Sequence, residues 1–521
     1  MPKNIVVFSD GTGQDGGVRP EQRLSNVYKL YRACRVGSQN NIDPSQQVAF
    51  YDAGLGTDVG ATAMSAPVRF VEKLLGSVIG RGITKNIADC YEFIITHYQS
   101  GDRIHLIGFS RGAYTVRCLA NLIMLCGVPT KTPAGQLPLL RSDIRDIAKE
   151  AVETVFEHGA GHPRAKFEAE RFELARRFRE RYGSNHEDGE DGRSNVAPHF
   201  IGVFDTVAAL GASGTRWLLI VVGLALGAAV GASLVAAIPA AVIAELLHLT
   251  VGWPFWNCAL SIVALAVAIA SGSLVYSHLR SSLKIIRDFP NKGDLRWHFA
   301  GWKGKNFDRL LSKYVCYARA ANAIDEKRAD FDRVGWGGVQ DDAPMSVDGH
   351  TRLVQMWFAG NHSDVGGSYD DTESRLSDIS LEWMVQQATR VPGGLIVAGQ
   401  KAPGDTSDIP NLRLFPAADG MQHCEVAAMQ DTIAGRLPKW LLKIWTPPTW
   451  AVKVREIKHD APVHPSVKER FKLASVVNAA GSGPYRPKAL ENHDDFKNYY
   501  GGDTVSSAVP SESAPLKEGV P

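Results

Sequence analysis

The sequence has almost no excess of either charge and no ordered use of cysteine. Lys and Arg number 57 against 55 Asp and Glu, a formal net charge of +2. With no basic stripe carrying interleaved aromatics, this balance gives no reason to expect a nucleic-acid partner. Seven cysteines are scattered through the chain without a CxxC or other metal-ligand spacing. Neither a structural metal nor a disulfide framework is expected, no cofactor is called for, and a reducing compartment fits. Met1-Pro2-Lys3-Asn4 runs directly into the apolar Ile5-Val6-Val7-Phe8 without an h-region or cleavage site, so export through a cleaved signal peptide is not expected. No internal repeat is present.

Long apolar runs, by contrast, are present. From Trp217 to Ala244 no residue carries a formal charge, and a second such run extends from about Phe255 to Ser277. Each is long enough for the roughly 20 residues that cross a bilayer. The segment from Glu245 to Pro254 is too short for anything but a turn, so the spacing predicts a transmembrane hairpin over 217–277. Arg216, Arg280, Lys284 and Arg287 flank it while the turn has no Lys or Arg. The positive-inside bias then puts the soluble parts on the cytoplasmic side of a bacterial inner membrane. Trp217, Trp253, Trp256 and Tyr276 fall near span ends, and Gly223, Gly227 and Gly231 would let two helices approach closely. The competing reading is a pair of buried helices in a soluble protein, with Pro239 cutting the first run short.

Around this hairpin the chain reads as one α/β domain, a mostly parallel sheet flanked by helices, as in α/β-hydrolases. Residues 1–215 form its N-terminal part, 216–280 the hairpin, 281–495 the C-terminal part and 496–521 a disordered tail. Within the first part, 143–195 is highly charged, with helical spacing from Arg164 to Phe178, and reads as a solvated helical insert. The region from 400 to 495 has no clear periodicity.

Chemistry enters at Gly108-Phe109-Ser110-Arg111-Gly112, which follows the apolar Ile104-His105-Leu106-Ile107 and precedes a helical stretch. A serine on a sharp strand-to-helix turn is a nucleophile elbow. Small residues two positions either side are needed because strand and helix crowd the turn. The helix N-terminus beneath favours negative charge, so the Arg111 amide could donate to an oxyanion. Serine needs an adjacent base, and that base an acid; hydrolases of this type supply them in the chain order Ser, Asp or Glu, His. Asp205 closes the apolar run Phe200–Phe204, and His362 follows Leu353–Phe358. Strand ends of open α/β sheets are where catalytic groups collect. Asp364 is an alternative acid and His464 an alternative base; Asp205 could instead be a helix cap. The second oxyanion donor should come from the loop Asp10-Gly11-Thr12-Gly13, through Gly11 or Thr12. Asp10 could support this loop or cap a turn. Asp-Gly-Thr also opens a phosphatase motif, but D-x-D-G-T requires an aspartate where this chain has Phe8.

Taken in order, Phe8-Ser9-Asp10-Gly11-Thr12, Tyr51-Asp52-Ala53-Gly54-Leu55-Gly56-Thr57, Gly108 to Tyr114, Val203 to Val207 and His362 to Gly367 resemble the α/β-hydrolase domain of type VI secretion phospholipase effectors. Ala323 to Arg328 and His464 to Val467 also look like that family, and the resemblance covers roughly residues 1 to 480. It implies phospholipid ester hydrolysis through Ser110, Asp205 and His362. For true effectors it also implies delivery on the secretion spike and a cognate immunity protein. The hairpin between Asp205 and His362 is a departure that toxin members need not carry, and a housekeeping membrane lipase fits equally. An esterase or thioesterase acting on soluble substrates, and a non-catalytic membrane scaffold, are the other readings.

Overall fold

The computed structural model describes residues 2–500 apart from 15, 18–22, 39, 55–80, 139, 188–191, 208–214, 303–309, 340–343, 399–411, 428–429, 432–433, 436–441, 443–445, 447–448 and 480. Residues 501–521 of the expected tail, and residues 55–57 of the Tyr51–Thr57 motif, lie outside the described residues; residues 496–500, counted in that tail, are ordered instead, with Phe496 buried in an apolar cluster and Lys497–Tyr499 in a short 3-10 turn.

The principal elements, in chain order, are β1 (Asn4–Ser9), α1 (Asn26–Cys34), β2 (Gln47–Asp52), α2 (Arg81–His97), β3 (Arg103–Phe109), α3 (Arg111–Cys126), α4 (Arg141–Glu150), α5 (Glu168–Tyr182) and β4 (Pro198–Phe204). They continue with α6 (Thr215–Val251), α7 (Phe255–Ser282), β5 (Leu283–Arg287), β6 (Leu295–Phe299), β7 (Tyr317–Ala323), β8 (Leu353–Phe358), α8 (His362–Gly366), α9 (Arg375–Arg390) and α10 (Pro465–Lys472).

Six strands form one sheet in the order β8-β7-β4-β3-β1-β2, with parallel pairing throughout. Helices cover both faces, so the strands are apolar on both sides, as parallel sheets require. Side chains alternate accordingly. Ile5, Val7, Ile104, Leu106, Ile201 and Val203 pack with α2, α3, α4 and α5. Val6, Phe8, Ile107, Phe109, Phe200 and Phe204 face the opposite way, toward α1 and α9. From β1 the chain moves outward to β2, then returns to the other side of β1 as β3. The crevice between β1 and β3 is therefore a topological switch point, where the loops leaving the two strands diverge and a ligand can enter.

The charged segment 143–195 is less solvated than its composition suggests. Ile144, Ile147, Ala148, Ala151, Val152 and Val155, with Ala175, Phe178 and Tyr182, are buried in the core on the α2–α3 side of the sheet. Many of its charges occupy the outer faces, where Arg176 and Arg177 pair with Glu173, but Arg179 and Glu157 are buried.

Helices α6 and α7 are two apolar helices joined by residues 252–254 and in contact with each other. Ala229–Val251 and Phe255–Ser273 are long and apolar enough to cross a membrane, with mean hydropathies of 2.1 and 1.8. Only 11% and 6% of these stretches is buried, which separates them from core helices of a soluble domain. Pro239 lies inside α6 without ending it. Two of the three glycines expected to mediate close approach do not, since a Cβ added at Gly227 or Gly231 would meet nothing within 4 Å; the surroundings of Gly223 lie outside what the structure describes. The covered seam is made instead by Ala236, Ala240 and Ala244, with Cys258 opposite. Alanines four apart give the same small ridge with better helix propensity.

A third apolar cluster lies beyond the edge of the sheet. Val467 and Phe471 of α10, with Val476, Tyr485, Leu490 and Phe496, pack on Ile324, Trp357 and Ala359. This docks the C-terminal region beside β7 and β8. The backbone of 451–453 runs along 327–329, with Ala329 N–H donating to Ala451 O (2.8 Å) and Lys453 N–H to Lys327 O (2.8 Å).

Candidate active site

Ser110 sits between β3 and α3 with φ 57° and ψ −122°, a conformation rare for a residue with a side chain and held only where the surroundings over-determine it. Both flanking glycines are sterically required. A Cβ at Gly112 would lie 2.1 Å from Ser9 O, and one at Gly108 would lie 2.6 Å from Gly112 O. These contacts let α3 start directly over the ends of β1 and β3. Ser110 N–H donates to Phe204 O (3.1 Å), and its carbonyl accepts from Tyr114 (3.3 Å) and Val207 (3.4 Å). The turn is thus tied to the end of β4, where Asp205 stands.

Asp205 also has positive φ, 36°, and is fully buried. Its Oδ2 lies 2.6 Å from Nδ1 of His362. Oδ1 accepts from Ala323 N–H at the end of β7 (3.0 Å). Arg455 donates to both oxygens, Nη1 to Oδ1 at 2.6 Å and Nη2 to Oδ2 at 2.9 Å. Burial alone would raise this carboxyl's pKa, but the Arg455 charge, joined by His362, outweighs it and holds the group well below the usual carboxylate range. Asp205 is therefore a fixed anion.

His362 is the first residue of α8 and is buried. Asn361 caps that helix through Oδ1, accepting from Ser363 (2.9 Å) and Asp364 (2.8 Å), while Asp364 Oδ2 accepts from Asn361 N–H (2.9 Å). This reciprocal box fixes the backbone beneath the imidazole. The ring lies between Phe109 (centroids 4.7 Å) and Phe331 (5.2 Å). Its Nε2 is buried with no hydrogen-bond partner among the described residues. One ring nitrogen is thus held on a carboxylate and the other is unspent, with the ring packed on the residue preceding Ser110, a geometry in which Nε2 could exchange a proton with a neighbouring group.

The other expected residues separate cleanly. Asp364, besides its place in the capping box, pairs with His423 Nδ1 (2.7 Å), so it supports α8 and stands apart from the His362 imidazole. His464 caps α10, accepting from Ser466 N–H (3.3 Å), and stacks on Phe358. Burial lowers its pKa to about 4; it serves the C-terminal helix and has no carboxylate partner among the described residues. In the β1 loop, Asp10 accepts from Tyr51 OH (2.7 Å), Ser25 Oγ and the Gly11 amide (2.7 Å). The Gly11 N–H is thus already engaged, so Thr12 is the remaining candidate of the two expected donors. The loop runs close to Ser110: a Cβ at Gly11 would lie 3.3 Å from Ser110 Cβ.

Two contributors had no separate signal in the sequence. Arg455 falls in the stretch without periodicity. Glu326 accepts from His362 N–H (3.3 Å) and is held by Arg328, whose guanidinium covers the Phe331 ring at 3.6 Å. The pattern Ala323–Arg328 was visible, but nothing in its spacing assigns it this buttressing role. Among the described residues no group of three or more His, Cys, Asp or Glu could hold a metal.

Comparison with known proteins adds a decisive observation. The family model for the catalytic domain of Tle1-like phospholipase effectors of the type VI secretion system (T6SS) matches residues 3–236 and 285–387. The chain belongs to this family. The Tle1-like match spans all six sheet strands and the segments carrying Ser110, Asp205 and His362, leaves out 237–284, and ends before Arg455. An uncharacterized protein of Saccharomyces cerevisiae is 24% identical over 427 residues, 74% of this chain and 57% of its own length. A solved structure of an uncharacterized Pseudomonas aeruginosa protein aligns over 86% of this chain and 51% of its own, at 15% identity and a TM-score of 0.32. This Tle1-like chain therefore spans little more than half the length of these two relatives.

Proposed function

We propose that the protein is a serine hydrolase that cleaves acyl esters of membrane phospholipids. The observation that carries the reading is His362, with Nδ1 on the buried Asp205 and Nε2 unpartnered, beside a strained serine at an elbow. In this mechanism His362 accepts the Ser110 proton as Oγ attacks the ester carbonyl, and Asp205 stabilises the resulting imidazolium. The amides of Arg111 and Thr12 hold the tetrahedral oxyanion. His362 then returns the proton to the leaving alcohol, and water, activated by the same imidazole, releases the fatty acid.

Phospholipid is favoured over a soluble ester or thioester by the family and by the exposed apolar surface of α6 and α7. In this reading the pair enters the bilayer and holds the site near its surface. Lys284 contributes less to orientation than its sequence position suggests, because its Nζ is spent on Glu153 O (2.8 Å) and Glu157 (3.2 Å). Arg216, Arg280 and Arg287 remain to keep the catalytic part on the cytoplasmic side. Delivery on a secretion spike and neutralisation by an immunity protein belong to the same proposal.

Ser110→Ala is expected to lower hydrolysis of phospholipid vesicles by about 10³-fold or more and to abolish fluorophosphonate labelling. Full labelling of that variant would overturn the assignment. Wild-type protein that takes no label would favour a non-catalytic scaffold, and cleavage of short-chain esters without vesicle hydrolysis a soluble-substrate esterase. Complete release of the chain from membranes by alkaline carbonate would remove the bilayer anchor.

A further inference from the structure

Immediately after α7 the chain forms a two-stranded antiparallel ribbon, β5 paired with β6. Leu283 stands opposite Phe299, Ile285 opposite Trp297 and Arg287 opposite Leu295. Directly opposed residues share a face of a ribbon, so these six make one side. Lys284, Ile286, Arg296 and His298 make the other.

The inner side is fully engaged. Lys284 pairs with Glu157 (3.2 Å), Arg296 with Glu170 (3.0 Å), and Ile286 is buried. His298 Nε2 lies 2.6 Å from His158 O, and its ring stacks on Phe167 at 3.7 Å. Arg177 of α5 donates to the carbonyls of Arg287 and Asp288 at the turn. Lys284 and Arg296 thus pair on the inner side, and Arg287 is the one charge on the outer side. The outer side is otherwise apolar and open, with Trp297 62%, Leu295 60%, Phe299 51% and Ile285 44% exposed. An ordinary surface ribbon has the opposite polarity.

We propose that this outer face lies in the headgroup and upper acyl region of the phospholipid bilayer, as a second, non-spanning membrane contact. The proposal rests on the bilayer reading of α6 and α7 given above. Continuity carries it: β5 begins at Leu283, the capping residue of α7, whose N–H still bonds to Leu279 O. A surface joined without a linker to the end of a bilayer-spanning helix is held at interfacial depth. Tryptophan with arginine beside it is the residue chemistry of that layer. The ribbon leads on to Trp302, which packs on Tyr114 of α3. The contact thus connects through one short segment to the helix beneath Ser110, and it would fix the tilt of the site against the lipid surface.

The test uses the full chain carrying Ser110→Ala, so that lipid is not consumed. It is reconstituted in phosphatidylethanolamine and phosphatidylglycerol vesicles, with or without phosphatidylcholine brominated near the headgroup end of its chains. Emission of this protein minus that of the same chain with Trp297→Phe isolates Trp297. Brominated lipid is expected to lower this difference emission by about twofold or more. Trp297 emission that ignores bromine in a carbonate-resistant chain overturns the ribbon contact and leaves insertion standing. Quenched emission in a chain that carbonate releases supports the ribbon and overturns the spans. Unquenched emission in a released chain overturns both.

Discussion

At the scale of single residues, the site depends on one buried ion pair. Asp205 is fully enclosed and Arg455 satisfies both its oxygens; removing the cation would leave a buried charge facing only His362 and a backbone amide. Arg455→Ala is expected to cost about 3–5 kcal/mol in denaturant unfolding. Arg455→Lys should recover part of that loss, because the point charge returns without the bidentate fork. The folded pKa of Asp205 lies below its unfolded value. Its contribution is therefore complete above about pH 4 and is lost as acid approaches the folded value. Asp52 works in the opposite direction. Burial foremost, with the negative charges of Asp89 and Asp10, raises its pKa to about 7 against hydrogen bonds from Ser9 and Asn86. A folded state that keeps a proton the unfolded chain has lost becomes less stable as pH rises from about 4 to about 7. Asp52→Asn should accordingly flatten the fall of melting temperature over that window, and a variant curve parallel to wild type would dismiss the argument. Ser110, Asp205 and His362 were legible because each follows an apolar run and a strand end. Arg455 was not, since an isolated arginine in an extended segment has no period or punctuation to mark it.

Elements show the same division. Five of the six strands could be read because a strand buried on both faces is a short apolar block bounded by polar residues; β7 could not, because Tyr317–Ala323 is mostly alanine with Arg319 and Asn322 inside it and lacks the β-branched residues that mark a strand. The segment 143–195 misled because its many charges mask the few apolar positions, such as Ile144, Ile147 and Val152, that hold it to the core. At the elbow, Gly112→Ala would drive a methyl group into Ser9 O, so α3 must lift away from β1. The expected result is loss of fluorophosphonate labelling together with a lower melting temperature. In the apolar pair, glycine spacing suggested the seam, but burial assigns it to alanines. Ala240→Leu overfills a covered position and should cost about 1–3 kcal/mol in detergent-solubilised protein. Gly231→Leu, facing open space, should be tolerated, and the reverse ranking by thermal unfolding would reassign the seam.

For the whole molecule, α7 and the C-terminal part of α6 from residue 237 lie in the stretch that the family match omits, 237–284, and the sheet closes without contributions from either helix. Joining residue 214 to 283 through a flexible linker should leave a chain that alkaline carbonate extracts and that still takes a fluorophosphonate label. If this chain turns over short-chain esters at the wild-type rate but cleaves vesicles slowly, the helices act by location alone. The reach of Arg455 has a different consequence. It arrives from beyond the matched domain, after every strand of the sheet and after Ser110 and His362 have been translated. A chain translated only as far as residue 454 carries Asp205 without the guanidinium that pairs with both of its oxygens. Asp205 therefore gains its counter-charge from a part of the chain more than two hundred residues away, and the proposed site is complete only when the C-terminal region is docked against the sheet.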